Sequence, residues 1–241
     1  MINAAAMKPF GLAIANYYRG DEKAAVKLIR DDGLEDSIAI NSFFRGPTAI
    51  PLDKIALDNC HGRVLDVGAG VGIHSLYLQE KGFDVCAMDV SPEACDVARK
   101  LGVKKVRCAS FSDFVDKPFD TLLILGRSIC MVETLKGLAD FLTDARRLVK
   151  PGGQIILNSL DVTQTNDPKN LAYHKANRKA GRYEGELRLC LEYKGVKGPA
   201  IGLLHVDATT LDVYAAGANW KCNVLAQEAN GNYLAKLTRN D

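Results

Sequence analysis

The 241-residue sequence predicts a doubly wound α/β fold, a seven-stranded and mostly parallel sheet covered by helices on both faces. Three observations carry that expectation. Short runs rich in Val, Ile and Leu recur between residues 60 and 160, continuous in their apolar residues as strands buried on both faces must be. Each run is followed by a segment of helical length and spacing. The first run, "VLDVGAGVGIHS" at residues 64 to 75, breaks into glycines at alternate positions, Gly68, Gly70 and Gly72, where a strand would hand over to a helix.

Taken in order, residues 1–59 form a mixed lead-in or cap. Its Asp31-Asp32-Gly33 turn between apolar runs is suited to closing a hairpin, and an amphipathic helix from Leu52 to Cys60 delivers the chain into the sheet. Residues 60–160 form the core, with strands expected at "RVLDVG", "DVCAMDV", "KKVRCAS", "FDTLLILG" and "GQIILNSL". Between them Ser91-Pro92-Glu93 reads as an N-cap, a first-turn proline and an acid, while Gly102 and Pro151-Gly152-Gly153 read as helix stops. Residues 161–206 form an insertion in which "GELRLCLEY" turns through "GVKGP" toward "AIGLLHV", an added antiparallel hairpin. Residues 207–241 supply a helix over 207–217 and two strands joined through Asn230-Gly231, which complete the core sheet.

Composition narrows the function. Hydrophobic residues at 47% and charged residues at 25% exclude disorder, and a net charge of +2 predicts neither a nucleic-acid nor a membrane footprint. The seven cysteines are odd in number and scattered, without a CxxC or a zinc spacing, so no metal and a reducing, cytoplasmic setting are expected. The opening "MINAAAMKPFGLAIANYY" lacks the basic region and apolar block of a leader, and no apolar run is long enough to span a membrane.

A glycine cluster between strand and helix removes the Cβ atoms that would hold a ligand away from the backbone at the positive end of the helix. Dinucleotides and S-adenosyl-L-methionine both use this place in an open α/β sheet. A dinucleotide fingerprint needs its third glycine at position 73, but Ile73 stands there and the glycine is Gly72. Asp89, at the end of the second apolar run, is placed to accept hydrogen bonds from ribose hydroxyls, which both cofactors present.

"VLDVGAGVG" with Asp66, "AMDVSPEACDVAR" with Asp89, "FDTLLILG", "ARRLVKPGG" and the terminal hairpin together resemble the class I, Rossmann-like S-adenosylmethionine-dependent methyltransferases. The resemblance implies a methyltransferase using S-adenosyl-L-methionine. By position it implies that Asp66 orients the glycine loop and the methionine amino group, and that Gly68, Ala69 and Gly70 give backbone room. It places Asp89 at the ribose, Val90 among the cofactor-binding residues, Ala109, Ser110 and Phe111 about the adenine, and Gly126 and Arg127 facing the transferable methyl. Arg45 would pair with the methionine carboxylate. An NAD(P)-dependent oxidoreductase and a non-catalytic nucleoside-binding protein on the same fold are the alternatives.

Methyl transfer needs a dedicated base only for a poorly ionised acceptor. Candidates are His74 in the first core helix, Tyr17 and Tyr18 as parts of a lid, and His174 and His205 after the fifth strand. The plain reading of His74 is a packed helix histidine. Lys175, Arg178, Lys179 and Arg182 would form one basic stripe on a helix, which ordinarily is a solvated face. "GRSICMVE" after the fourth strand lacks the boxes of nucleic-acid methyltransferases, so a small-molecule acceptor is expected, bound by a monomer or homodimer. It should be enclosed between the lead-in, with Tyr17 or Tyr18, and the insertion.

Overall fold

The structure, a computed structural model, describes residues 2–240. Its core is a seven-stranded sheet built from β3 (Arg63–Val67), β4 (Asp84–Asp89), β5 (Val106–Cys108), β6 (Phe119–Ile124), β7 (Val149–Leu160), β11 (Trp220–Gln227) and β12 (Asn232–Arg239). The spatial order is β11-β12-β7-β6-β3-β4-β5. Strands β3 to β7 pair in parallel, and β12 runs antiparallel to both β7 and β11. The order reverses beside β3, so the crevice beyond the carboxyl end of that strand is where a ligand binds in sheets of this kind.

Successive residues of each core strand enter different cores, which is why the strands read as unbroken apolar runs. Leu65, Leu122 and Ile155 pack with Leu138, Phe141 and Leu142 of α5 (Leu135–Ala145) and with Leu211 and Ala215 of α7 (Ala208–Gly217). Their neighbours Val64, Leu123 and Ile156 pack on the other face with Leu52, Ala56 and Leu57 of α2 (Pro51–Asp58) and Leu78 of α3 (Ile73–Glu80). Helix α4 (Pro92–Lys100) starts as its sequence predicts, with Ser91 Oγ accepting from the Ala94 N–H and Pro92 in the first turn. Pro151-Gly152-Gly153 has a different role from the one expected. Helix α5 has already ended at Ala145, and the triplet lies inside β7 where its register against β6 shifts, so it forms a bulge.

The lead-in contributes more than a hairpin. Helix α1 (Ala4–Tyr18) contains Pro9 and is apolar nearly all round, so it lacks the striped pattern that betrays a surface helix. It is held by packing. Asn3 caps its start by accepting from the Ala6 N–H, Lys8 pairs with Glu93, and Gly11 lies so close to α4 that a Cβ there would stand 2.5 Å from Ser91 Oγ. Strands β1 (Ala25–Arg30) and β2 (Glu35–Ala39) form the expected hairpin across Gly33. They join β8 (Glu186–Tyr193), β9 (Val196–Lys197) and β10 (Ile201–Leu204) of the insertion in a second, antiparallel sheet ordered β10-β8-β1-β2, with β9 paired to β8. Strand β1 thus lies between a strand of the lead-in and a strand of the insertion. A separate core of Ile14, Val26, Leu189, Leu191 and Ile201 fuses α1, α4 and this sheet.

Helix α6 (Pro168–Lys179) turns Tyr173, His174 and Asn177 inward and leaves Lys175, Arg178 and Lys179 exposed. Arg178 pairs with Glu184, and Arg182, beyond the helix end, donates to Asn177 Oδ1 at 2.9 Å. The stripe is a solvated face. Burial holds the imidazole of His174 below its ordinary range, and burial together with the nearby Arg127 charge holds His205, just past β10, down at about 4.

Two predictions follow from this packing. In Gly11→Val the side chain must displace Ser91 or lift α1, costing about 1–3 kcal/mol; a thermal melt reads this, and an unchanged midpoint would contradict the docking. His205 favours the neutral ring in the folded state, so its contribution to stability is present above pH 6.5 and is lost as pH falls toward about 4. Denaturant titrations across that window should show a smaller acid-side loss for His205→Gln than for the unaltered protein, and parallel curves would contradict the assignment.

Candidate active site

Between β3 and α3 the chain turns through Gly68, Gly70 and Gly72 with φ of +70°, +56° and +80°. All three are left-handed, a conformation costly for residues with a Cβ. At Gly72 space also forbids a side chain, because a Cβ would lie 2.7 Å from Val103. A Cβ at Gly70 would meet nothing within 4 Å, since it faces open cleft.

The loop satisfies its own donors. The Gly68 and Ala69 N–H groups both donate to the Met88 carbonyl, at 2.8 and 3.0 Å, and Gly72 donates to Ala69 at 2.9 Å. Asp89 Oδ2 accepts from the Gly70 N–H and Asp89 Oδ1 from the Ser91 N–H, each at 2.8 Å. A pyrophosphate would need those loop donors free, so their commitment within the protein disfavours a dinucleotide. Asp89 instead retains acceptor capacity for hydroxyl donors, because a carboxylate offers about four lone-pair sites. Burial pushes its carboxyl upward, against the pull of the Ser91 and Gly70 N–H groups. Asp66 is fully enclosed and accepts from Ser75 Oγ at 2.7 Å, which ties the end of β3 to α3, and burial raises its carboxyl too.

One cleft of about 280 Å³ opens over this loop. Asp66, Gly68, Ala69, Gly70, Asp89, Val90, Ala109, Ser110, Phe111 and Gly126 line it, and so do Arg45 and His74. Arg127 does not. It is exposed, at φ +60°, and its N–H donates to Asn158 Oδ1 at 2.8 Å. Tyr17 and Tyr18 also lie outside: Tyr17 stacks on Phe44 at 4.6 Å, and Tyr18 is exposed near Lys100. Neither His174 nor His205 lines the cleft.

The opposite walls come from the added layer, and sequence reasoning missed them. Ile2, Met7 and Phe10 project from α1 and its start, Leu28 and Ile38 from the hairpin, and Leu191, Ile201 and Leu203 from the insertion. Phe43 belongs to a 3-10 turn at Ile40–Phe44, and Cys130 and Met131 to another at Ser128–Val132. Phe10 meets Phe43 edge to face at 4.8 Å. Nearly all of this surface is apolar. Arg45 is the one Lys or Arg on the cleft among the described residues, and Asp53, buried behind it, accepts from Arg45 Nη2 at 2.6 Å and faces His74 Nε2 at 3.1 Å.

Comparison with known proteins agrees with this geometry. A family profile described as a methyltransferase domain matches residues 65–157. The chain is 30% identical to an S-adenosylmethionine-dependent methyltransferase from Bacteroides fragilis, solved in complex with S-adenosyl-L-homocysteine; the match covers 100% of this chain and 98% of that one, with a TM-score of 0.86. It is 32% identical over 105 residues to the demethylmenaquinone methyltransferase of Tropheryma whipplei, covering 39% of this chain and 40% of that protein. It is 30% identical over 125 residues to a ubiquinone biosynthesis O-methyltransferase of Xanthomonas oryzae, covering 48% and 51%. The chain therefore spans only about two fifths to one half of the curated relatives it matches. Fold, glycine loop and full-length similarity converge: the chain belongs to the class I S-adenosylmethionine-dependent methyltransferases.

Proposed function

We propose that the protein transfers a methyl group from S-adenosyl-L-methionine to a small, largely apolar acceptor held between the glycine loop and the added sheet. The observation that carries this reading is the division of one cleft into two chemistries. Its floor presents Asp66, Asp89 and the glycine loop, while its roof is built from Met7, Phe10, Phe43, Met131 and Leu203. Such a roof offers an incoming acceptor burial of apolar surface and few polar contacts. The relatives named for quinone biosynthesis are small-molecule methyltransferases by name, which supports the same class.

The residues fit the cofactor. Open space at Gly70 admits a ligand against the backbone, Asp89 has acceptor sites left for ribose hydroxyls, and Ala109, Ser110 and Phe111 line the same cleft and are assigned to the adenine. The bound cofactor supplies a methyl already activated on a sulfonium. The protein's task is to align the acceptor and exclude water, and proximity alone is worth about 7–11 kcal/mol in a well-oriented pair. Gly126, with Ser128 and Cys130 beyond it, borders the floor and the roof and is assigned to the reacting centre.

A net charge of +2 and a basic face already engaged by Glu184 speak for an acceptor other than nucleic acid. Among the described residues no helix is long and apolar enough to cross a membrane. All seven cysteines are free, which supports a reducing, cytoplasmic setting.

Two experiments test the proposal. Asp89→Ala should weaken S-adenosyl-L-homocysteine binding by about ten- to a hundredfold, the loss of charged hydrogen bonds worth about 1.5–3 kcal/mol, while the protein stays folded. Calorimetry reads it, and unchanged affinity would place the ribose elsewhere. Methyl-labelled cofactor incubated with a cell extract should deliver label to low-mass, solvent-extractable molecules. Label confined to RNA, DNA or protein would refute the small-molecule reading.

A further inference from the structure

Asp53 is a buried acid that the reaction itself does not call for. It lies in the first turn of α2, is 1% exposed, and takes both of its hydrogen bonds from residues on the cleft wall, Arg45 and His74. Burial alone would raise its carboxyl, but the hydrogen bonds and charges of His74 and Arg45 outweigh burial and hold it below the usual carboxylate range. At neutral pH it carries no proton, so the proton between Asp53 Oδ2 and His74 Nε2 belongs to the histidine. His74, like Arg45, borders the cleft. The same carboxylate oxygen orients the guanidinium of Arg45. That group donates once more, from Nη1 to the Ser42 carbonyl, and leaves its buried Nε with no partner.

The cleft around them constrains what they meet. Two carboxylates, Asp66 and Asp89, stand on its floor, and Arg45 is its one Lys or Arg among the described residues. A ligand that carries its own carboxylate is repelled by the first two and attracted by the third. His74 lies close enough to Asp66 for their charges to interact. Arg45 thus offers a donor fork to the carboxylate of an α-amino acid end.

We propose that Asp53, tied to α3 through His74, is a positioning residue which through one carboxylate oxygen sets Arg45 to bind the carboxylate of the cofactor's methionine end. This rests on the cofactor reading above. Asp53 touches no ligand itself; it fixes the guanidinium direction before the ligand arrives, which lowers the ordering cost of binding.

The test compares two ligands by calorimetry, S-adenosyl-L-homocysteine and 5′-methylthioadenosine, which shares the adenosine and sulfur but lacks the amino acid end. In Asp53→Asn, affinity for the first should fall by about ten- to a hundredfold, as expected for a displaced charged hydrogen bond, while affinity for the second stays within about twofold. Arg45→Gln, at a partly exposed side chain, should give the same split and serves if the Asp53 variant does not fold. Equal weakening of both ligands would show a clamp that only holds α2 to α3, and an unchanged first ligand would remove Asp53 from recognition. Either result overturns the proposal. If the unaltered protein binds neither ligand, the cofactor reading itself falls, and the proposal with it.

Discussion

The pairing of β1 with β8 is the contact on which the cleft depends. Lys27 to Arg30 face Glu192 to Leu189 in antiparallel register, so the lead-in and the insertion become one sheet although the core strands β3 to β7 lie between them in sequence. Closing so long a loop costs entropy that grows only slowly with length. Burial of Val26, Leu189, Leu191 and Ile201 in a shared core with Ile14 offsets it. Without that pairing, Leu28 and Leu191 would not stand opposite the glycine loop, and the loop would lie under solvent in place of an apolar roof.

Beneath the roof, the order of the floor comes from a few hydrogen bonds that run between strand ends. The Met88 carbonyl takes two loop N–H groups, and Asp89 takes one from the loop and one from the start of α4. Strand β4 thereby fixes the turn that follows β3. The loop's left-handed glycines are what allow its donors to turn back onto β4. On the proposed reading, recognition falls to carboxylates and to backbone room, the reverse of a phosphate loop whose free N–H groups face the ligand.

The sequence showed the core because each of its strands and helices follows from local chemistry. The unbroken apolar runs, the Ser91-Pro92 start of α4, the Asp207 cap of α7 and the Asn230-Gly231 turn all act within a few residues of themselves. Asp53 was hidden for the opposite reason. In "IPLDKIAL" it reads as an ordinary first-turn acid, and the residues that give it meaning, Arg45 and His74, lie on either side at distances with no periodic signature. Helix α1 was hidden by Pro9 and by apolar residues all round it. Tyr17 and Arg127 were misplaced because position in the chain does not fix direction: Tyr17 turns onto Phe44, and Arg127 is exposed at a left-handed turn. The register of β1 on β8, and with it the apolar roof, belongs to tertiary pairing that neither segment encodes alone.

The division of the cleft into a cofactor floor and an acceptor roof is the central claim, and a crystal structure with S-adenosyl-L-homocysteine bound tests it most directly. The account predicts ribose hydroxyls within hydrogen-bonding distance of Asp89 and a sulfur that faces the apolar wall of Phe10, Phe43 and Met131. A ligand whose sulfur opens to bulk solvent, or whose ribose lies away from Asp89, would contradict it.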